Sequence, residues 1–160
     1  MLGRFAEELC ASGARREVHR CWQDVCGSIC DTRQKLSLYE ILEGPVRALY
    51  LDIEWIGSRD VSLVRRVADV AQAAVVEHAK RDVSGVFIFD ASGSGKASYH
   101  VHIVLCGAPF ESPTVVGEFV RAHIAPTFPL IVDLSPYGRR QCWRLPGAVK
   151  KNAMTRPLVP

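Results

Sequence analysis

No apolar run in these 160 residues is long enough to cross a bilayer as a helix, which argues against a membrane-spanning helix. Glu7 and Glu8 interrupt the first apolar stretch, so no secretory signal is expected. Arg4, Arg15, Arg16 and Arg20 give the early chain a basic cast, but the acids among them argue against a transit peptide. Internal repeats and low-complexity tracts are lacking, which sets repeat and disordered architectures aside. The chain also lacks a C-x₂-C knuckle. Its six cysteines, without a secretion signal, read as free thiols of a reducing, intracellular compartment. Cys21, Cys26 and Cys30, with His19 upstream, are a weak match to zinc spacing, and buried thiols on a helix are the stronger reading.

What is present is an ordinary globular composition. Hydrophobic residues make up 48% of the chain, enough for a real core. The net charge of +3 says little by itself. Its distribution says more, because Arg139, Arg140, Arg144, Lys150, Lys151 and Arg156 follow Tyr137 with no acid among them. A basic segment of that kind suits phosphate or nucleic acid.

The organising stretch is Ala48-Leu49-Tyr50-Leu51-Asp52-Ile53-Glu54-Trp55. Its alternation predicts a strand with Leu49, Leu51 and Ile53 on one face and Tyr50, Asp52 and Glu54 on the other. Two carboxylates one strand repeat apart are costly near a core unless something neutralises them, and a divalent cation such as Mg²⁺ or Mn²⁺ would do so. Before this strand, helices are expected over residues 1–11, 16–30 and 36–42, forming an N-terminal helical segment (1–45) packed on a core domain (46–160). After it, Ser58 is the expected cap of a helix over 59–81. A continuously apolar strand follows at 86–89, read as buried on both faces. Further strands are expected at 98–106, 130–134 and 142–145, with a helix at 113–123. The fold class is α+β, an antiparallel or mixed sheet with flanking helices.

The loop Asp90-Ala91-Ser92-Gly93-Ser94-Gly95-Lys96 is not a P-loop. Asp90 stands where the first glycine is needed, Ala97 where a Ser or Thr is needed, and a strand follows where a helix is required. Its amides, Ser92 and Lys96 can still meet a phosphate. In the next strand Ser98, His100 and His102 share a face, a set of donors suited to phosphate. Asp133 ends a later strand and can join Asp52 and Glu54. Arg139, Arg144 and Lys150 add fixed positive charge. Three carboxylates for two metals and a set of phosphate-holding groups suggest nucleotidyl transfer on a triphosphate.

These residues resemble the catalytic core of the archaeo-eukaryotic primase superfamily, in its primase-polymerase and herpesvirus-type branch. The family's first motif, D-x-E, corresponds to Asp52 and Glu54. Its second, S-x-H after a polar loop, corresponds to Ser98 and His100. Its third, an apolar strand ending in Asp, corresponds to Asp133, and the continuation D-x₃-Y-x-R-x₄-aromatic-R-x₅-K is met by Asp133, Tyr137, Arg139, Trp143, Arg144 and Lys150. The resemblance covers residues 46–151. It implies an RRM-like fold and a two-metal Mg²⁺ or Mn²⁺ site on Asp52, Glu54 and Asp133. It also implies that Lys96, Ser98, His100, Arg144 and Lys150 hold the nucleotide, with Ser92, His102, Tyr137, Arg139 and Lys151 as further phosphate or nucleic-acid contacts. Implied partners are a single-stranded DNA template, a primer, (d)NTPs, and single-strand-binding proteins or a helicase. The expected location is intracellular, in the nucleus and/or mitochondrion if the cell is eukaryotic. The family's cysteine-rich zinc module has no counterpart after Lys150 here, so the chain reads as a core without it.

Two rival readings use the same residues. His100-Val101-His102 fits the metal motif of a rolling-circle-type nuclease, for which Tyr137 is the available nucleophile. A non-catalytic nucleic-acid-binding subunit would need the basic residues but not the three acids.

Overall fold

The computed structural model describes residues 2–8, 15–21, 23–25, 37–139, 141–145, 147–150 and 153–157. The chain divides into two units, one of Glu43–Arg140 and one combining Met1–Leu42 with Gln141–Pro160. Strands and helices are both present and every described strand pair is antiparallel, so the class is α+β.

The terminal unit is a sheet of β1 (Leu2–Glu8), β2 (Arg15–Cys21), β3 (Leu38–Leu42) and, from the distal chain, β8 (Gln141–Arg144). Its order is β2-β1-β3-β8, and β9 (Val149–Lys150) pairs separately with β10 (Ala153–Pro157). β1 and β3 correct the helices expected within 1–11 and 36–42, and β2 corrects the first part of the helix expected over 16–30, while residues 23–25 are helical and 26–30 lie outside the described residues. Glu, Arg, Ala and Leu favour helix intrinsically, but pairing across strands overrides that preference. Phe5 packs with Val25, Leu145 and Ala148, while Ala6, Tyr39 and Ile41 form a second cluster. Outside these clusters, cross-strand charges meet, as in Arg4–Glu17 and Arg16–Glu7, each at 2.8 Å.

The middle unit follows the order β4 (Ala48–Ile56), α1 (Val61–His78), β5 (Val83–Asp90), β6 (Lys96–Leu105), α2 (Pro113–His123) and β7 (Val132–Asp133). The sheet order β5-β6-β4-β7 makes this a split β-α-β arrangement repeated once. Leu49, Leu51, Ile53, Val101 and Ile103 are wholly buried on one face. Helix α1 lies against β5 and β6 and brings a stripe of Val64, Val67, Ala68, Ala71, Ala74 and Val75. Its N-cap is Asp60, whose carboxylate accepts from the Leu63 amide at 3.0 Å, and not Ser58 as the sequence suggests. Hydrogen bonds from Ser62 and the Leu63 amide hold that carboxyl below its usual range.

Helix α2 starts where expected, with Ser112 as cap and Pro113 in its first turn. Gly117 on this helix is a packing requirement: a Cβ there would come within 2.3 Å of the Tyr137 Cβ. The expected strand at 130–134 shrinks to Val132–Asp133, because residues 129–131 turn and leave Leu130 exposed. No helix among the described residues is long and apolar enough to cross a membrane.

Candidate active site

The face of the middle sheet opposite the apolar layer is built by strand register. Antiparallel pairing puts Asp52 of β4 opposite His100 of β6, Glu54 opposite Ser98, and Tyr50 opposite His102. On the far side of β4, Asp133 stands opposite Asp52, and on the far side of β6, Phe89 of β5 stands opposite His100. One row across four strands is therefore Phe89, His100, Asp52, Asp133. Directly opposed side chains in such a ladder lie roughly 4.5–5.5 Å apart at Cβ. The alternation read from the sequence for Asp52, Glu54, Ser98, His100 and His102 thus meets in three dimensions, and β7 adds Asp133 to it.

Two carboxylates directly opposite each other repel, so Asp52 and Asp133 need compensation. Asp133 receives part of it locally: its Oδ1 accepts from the Ser135 amide and its Oδ2 from the Ser135 hydroxyl, both at 2.8 Å. Ser135 went unnoticed in the sequence, although an Asp followed two residues later by Ser is the mark of such a side-chain turn. Glu54 is met by Lys96, whose Nζ lies 2.5 Å from Oε2. Both are partly exposed, so this pair is a weak, exchangeable contact.

Tyr137 closes the other end of the row. It is buried, its hydroxyl donates to the Tyr50 carbonyl at 2.7 Å, and its ring stacks on Tyr50 with centroids 5.5 Å apart. Burial, with Tyr50 and the Asp52 and Asp133 carboxylates beside it, holds this phenol well above its ordinary range, so it remains protonated. Burial also raises the Tyr50 phenol. His102 makes an edge contact with Phe89 at 5.2 Å, and burial pushes its imidazole down to about 4, leaving it neutral near pH 7.

The hairpin loop between β5 and β6 is braced from within. The Ser92 amide donates to Asp90 Oδ1 at 2.7 Å, and the Ser92 hydroxyl exchanges hydrogen bonds with the Ser98 backbone at 3.0 and 3.2 Å. Ser92 is buried, so its hydroxyl serves the loop. Arg59 reaches Asp90 at 3.3 Å. The expectation that β5 is buried on both faces fails at Phe87, which is 52% exposed on this edge strand, while Phe89 on the same face is buried.

The remaining sequence-derived residues are distributed as follows. Arg139 is exposed in the middle unit. Arg144 belongs to the terminal unit, where it is buried in β8 opposite Tyr39. Lys150 lies in β9 of the same unit. Lys151, and the Cys26 and Cys30 of the zinc reading, lie outside the described residues, while Cys21 is a free thiol beside Gln23.

Among the described residues no three His, Cys, Asp or Glu side chains converge as a ready metal cluster. The donor set still fits a hard cation. Mg²⁺ takes one or two carboxylates and completes its shell with water and substrate phosphates, and Asp52 and Asp133 are such a pair. No protein-family model matches the chain, and no curated protein matches it.

Proposed function

We propose that this protein is a nucleotidyltransferase of the primase-polymerase type that joins a (d)NTP to a primer end, or to an initiating nucleotide, on single-stranded DNA. The reading includes an RRM-like primase core, for which the β5-β6-β4-β7 order of the middle unit is support. The observation that carries it is the cross-strand row His100–Asp52–Asp133, with Glu54, Ser98 and Lys96 in the adjoining positions. Acids and phosphate donors on one sheet face suit a reaction in which a hydroxyl attacks a phosphate. A surface that only binds polyanions gains nothing from acids at its centre.

In this reading Asp52 and Asp133 hold the divalent cation, Mg²⁺ or Mn²⁺, with Glu54 as a further ligand. Bound there, the cation supplies charge neutralisation at the phosphates and a lowered pKa for the attacking hydroxyl. The chain's own residues do the rest. Ser98 and His100 donate to phosphate oxygens, and Lys96 leaves Glu54 for the more highly charged triphosphate. The primer 3′-hydroxyl attacks the α-phosphorus, a new P–O bond forms, the bond to pyrophosphate breaks, and the hydroxyl proton passes to solvent.

The rolling-circle nuclease reading is weakened by Tyr137. A nucleophilic tyrosine must be accessible and able to lose its proton, whereas this one is buried, bonded to the Tyr50 carbonyl and held protonated.

The test is extension of a labelled primer on a single-stranded template with Mn²⁺ or Mg²⁺. The wild type should add nucleotides and release pyrophosphate, and Asp52→Asn should fall to background. Equal extension by Asp52→Asn would refute the assignment.

A further inference from the structure

The open face of the sheet carries one large apolar side chain that the chemistry above does not use. Phe87 is 52% exposed in the middle of the edge strand β5, directly opposite His102. Its ring comes close to Gly85, with Cε2 only 3.1 Å and Cζ 3.4 Å from where a Cβ of residue 85 would be. A glycine inside a strand marks a close approach, and here it makes room for an aromatic ring beside the backbone. About half of the side chain remains open to solvent. An exposed phenylalanine here is outside the apolar layer that packs with helix α1 on the opposite face.

The position of this ring within the candidate site is what gives it meaning. The row Phe87, His102, Tyr50 adjoins the row Phe89, His100, Asp52, Asp133 on the same face. Along β6, the phosphate-type donors begin at Ser98 and the Phe87 row is reached at His102, about 14 Å further at the rise of an extended strand. His102 is neutral near pH 7 and makes an edge contact with Phe89. The face therefore runs from a charged, phosphate-suited end to an uncharged aromatic end.

We infer that Phe87, exposed beside Gly85 and opposite His102, is a stacking platform for a nucleobase whose phosphates lie toward Asp52 and Ser98. This rests on the nucleotidyl-transfer reading and adds to it the part of the substrate that the carboxylates and donors do not touch. Aromatic faces hold any base by stacking, so the platform accepts bases without regard to sequence. The base comes either from the free nucleotide or from the single strand, and the chemistry on Phe87 is the same.

The experiment measures binding without turnover, in the full chain. Three probes are titrated: 2-aminopurine deoxyribonucleoside triphosphate, a single-stranded oligonucleotide with one internal 2-aminopurine, and inorganic tripolyphosphate, which has no base. Stacking quenches 2-aminopurine, so the first two report contact with the ring as well as affinity. Phe87→Ala should weaken at least one base-containing probe by about 5- to 150-fold, the range for loss of one stacked base, and abolish the quench. Tripolyphosphate should bind Phe87→Ala and wild type alike. Phe87→Leu should behave as Phe87→Ala, and Phe87→Trp should restore affinity and quench, which a merely structural role would not require. Loss for the nucleotide alone assigns the platform to the incoming nucleotide, and loss for the oligonucleotide alone assigns it to the strand; either supports the inference. Unchanged affinity and quench of both base probes in Phe87→Ala would overturn it while leaving the nucleotidyl-transfer reading intact. Wild type that binds none of the three probes would overturn both.

Discussion

The two faces of the middle sheet come from the same strands, yet they follow opposite rules. Leu51 and Ile53 point one way from β4 and are wholly buried, while Asp52 between them points the other way into a row with His100 and Asp133. The apolar face is satisfied within the chain by packing. The polar face carries two opposed carboxylates, a glutamate met by a partly exposed lysine, and an aromatic ring left half open. Residues that break local rules of stability without structural return are where function is expected. A period of two lets one strand build a core and a site at once, and a slip of one residue would destroy both.

The sharpest way to break this comparison is to change neighbours that differ only in direction. Ile53→Ala empties a wholly buried position and should cost about 2–5 kcal/mol, read as a lower urea midpoint with an unchanged slope. Asp52→Asn, one residue away, removes charge repulsion instead of packing. It should leave the urea midpoint near wild type, or raise it, while extension is lost. Comparable destabilisation by both would show that the polar face is also structural.

A second variant tests how the helices reach the polar face. Gly117→Ala drives a methyl into Tyr137, whose hydroxyl and ring fix the Tyr50 end of the row. Overpacking of this kind costs about 1–3 kcal/mol. Thermal unfolding should show it as a lower melting temperature. No change in melting temperature on Gly117→Ala would mean the helix does not seat on Tyr137.

The last comparison concerns pH. His102 is pushed down from 6.5 to about 4 by burial, so between those values the unfolded chain binds more protons than the folded one. Its contribution to stability is complete above about pH 6.5 and is lost as pH falls through about 4. Urea midpoints measured from pH 7.5 to 4 should fall more steeply for wild type than for His102→Gln. Parallel curves would place His102 in a solvated environment.

Much of the middle unit was legible in the sequence because its signals are local. Alternation around Asp52 and around His100 declares which residues share a face, and Val64, Val67, Ala71, Ala74 and Val75 declare the buried stripe of α1. The terminal unit was misread because its strands are short and rich in helix-forming residues, and half of its pairing joins residues far apart in the chain. β3 with β8 brings Tyr39 against Arg144, a register that no window of sequence contains. The exposure of Phe87 was hidden for a related reason. Val86-Phe87-Ile88-Phe89 reads as a buried strand, and only the sheet order reveals that β5 is an edge with an open face. Tyr137 was legible as a motif member but not as the hydroxyl that bonds the Tyr50 carbonyl, 87 residues away in sequence.

The central claim is that the Asp52–Asp133 pair is a cation site used with a nucleotide, and Mn²⁺ binding measured by electron paramagnetic resonance tests it most directly. With a non-hydrolysable nucleoside triphosphate present, wild type should retain protein-bound Mn²⁺ beyond what the nucleotide holds alone, and Asp52→Asn and Asp133→Asn should each lose that increment while remaining folded. Equal retention by wild type and both variants would contradict the account.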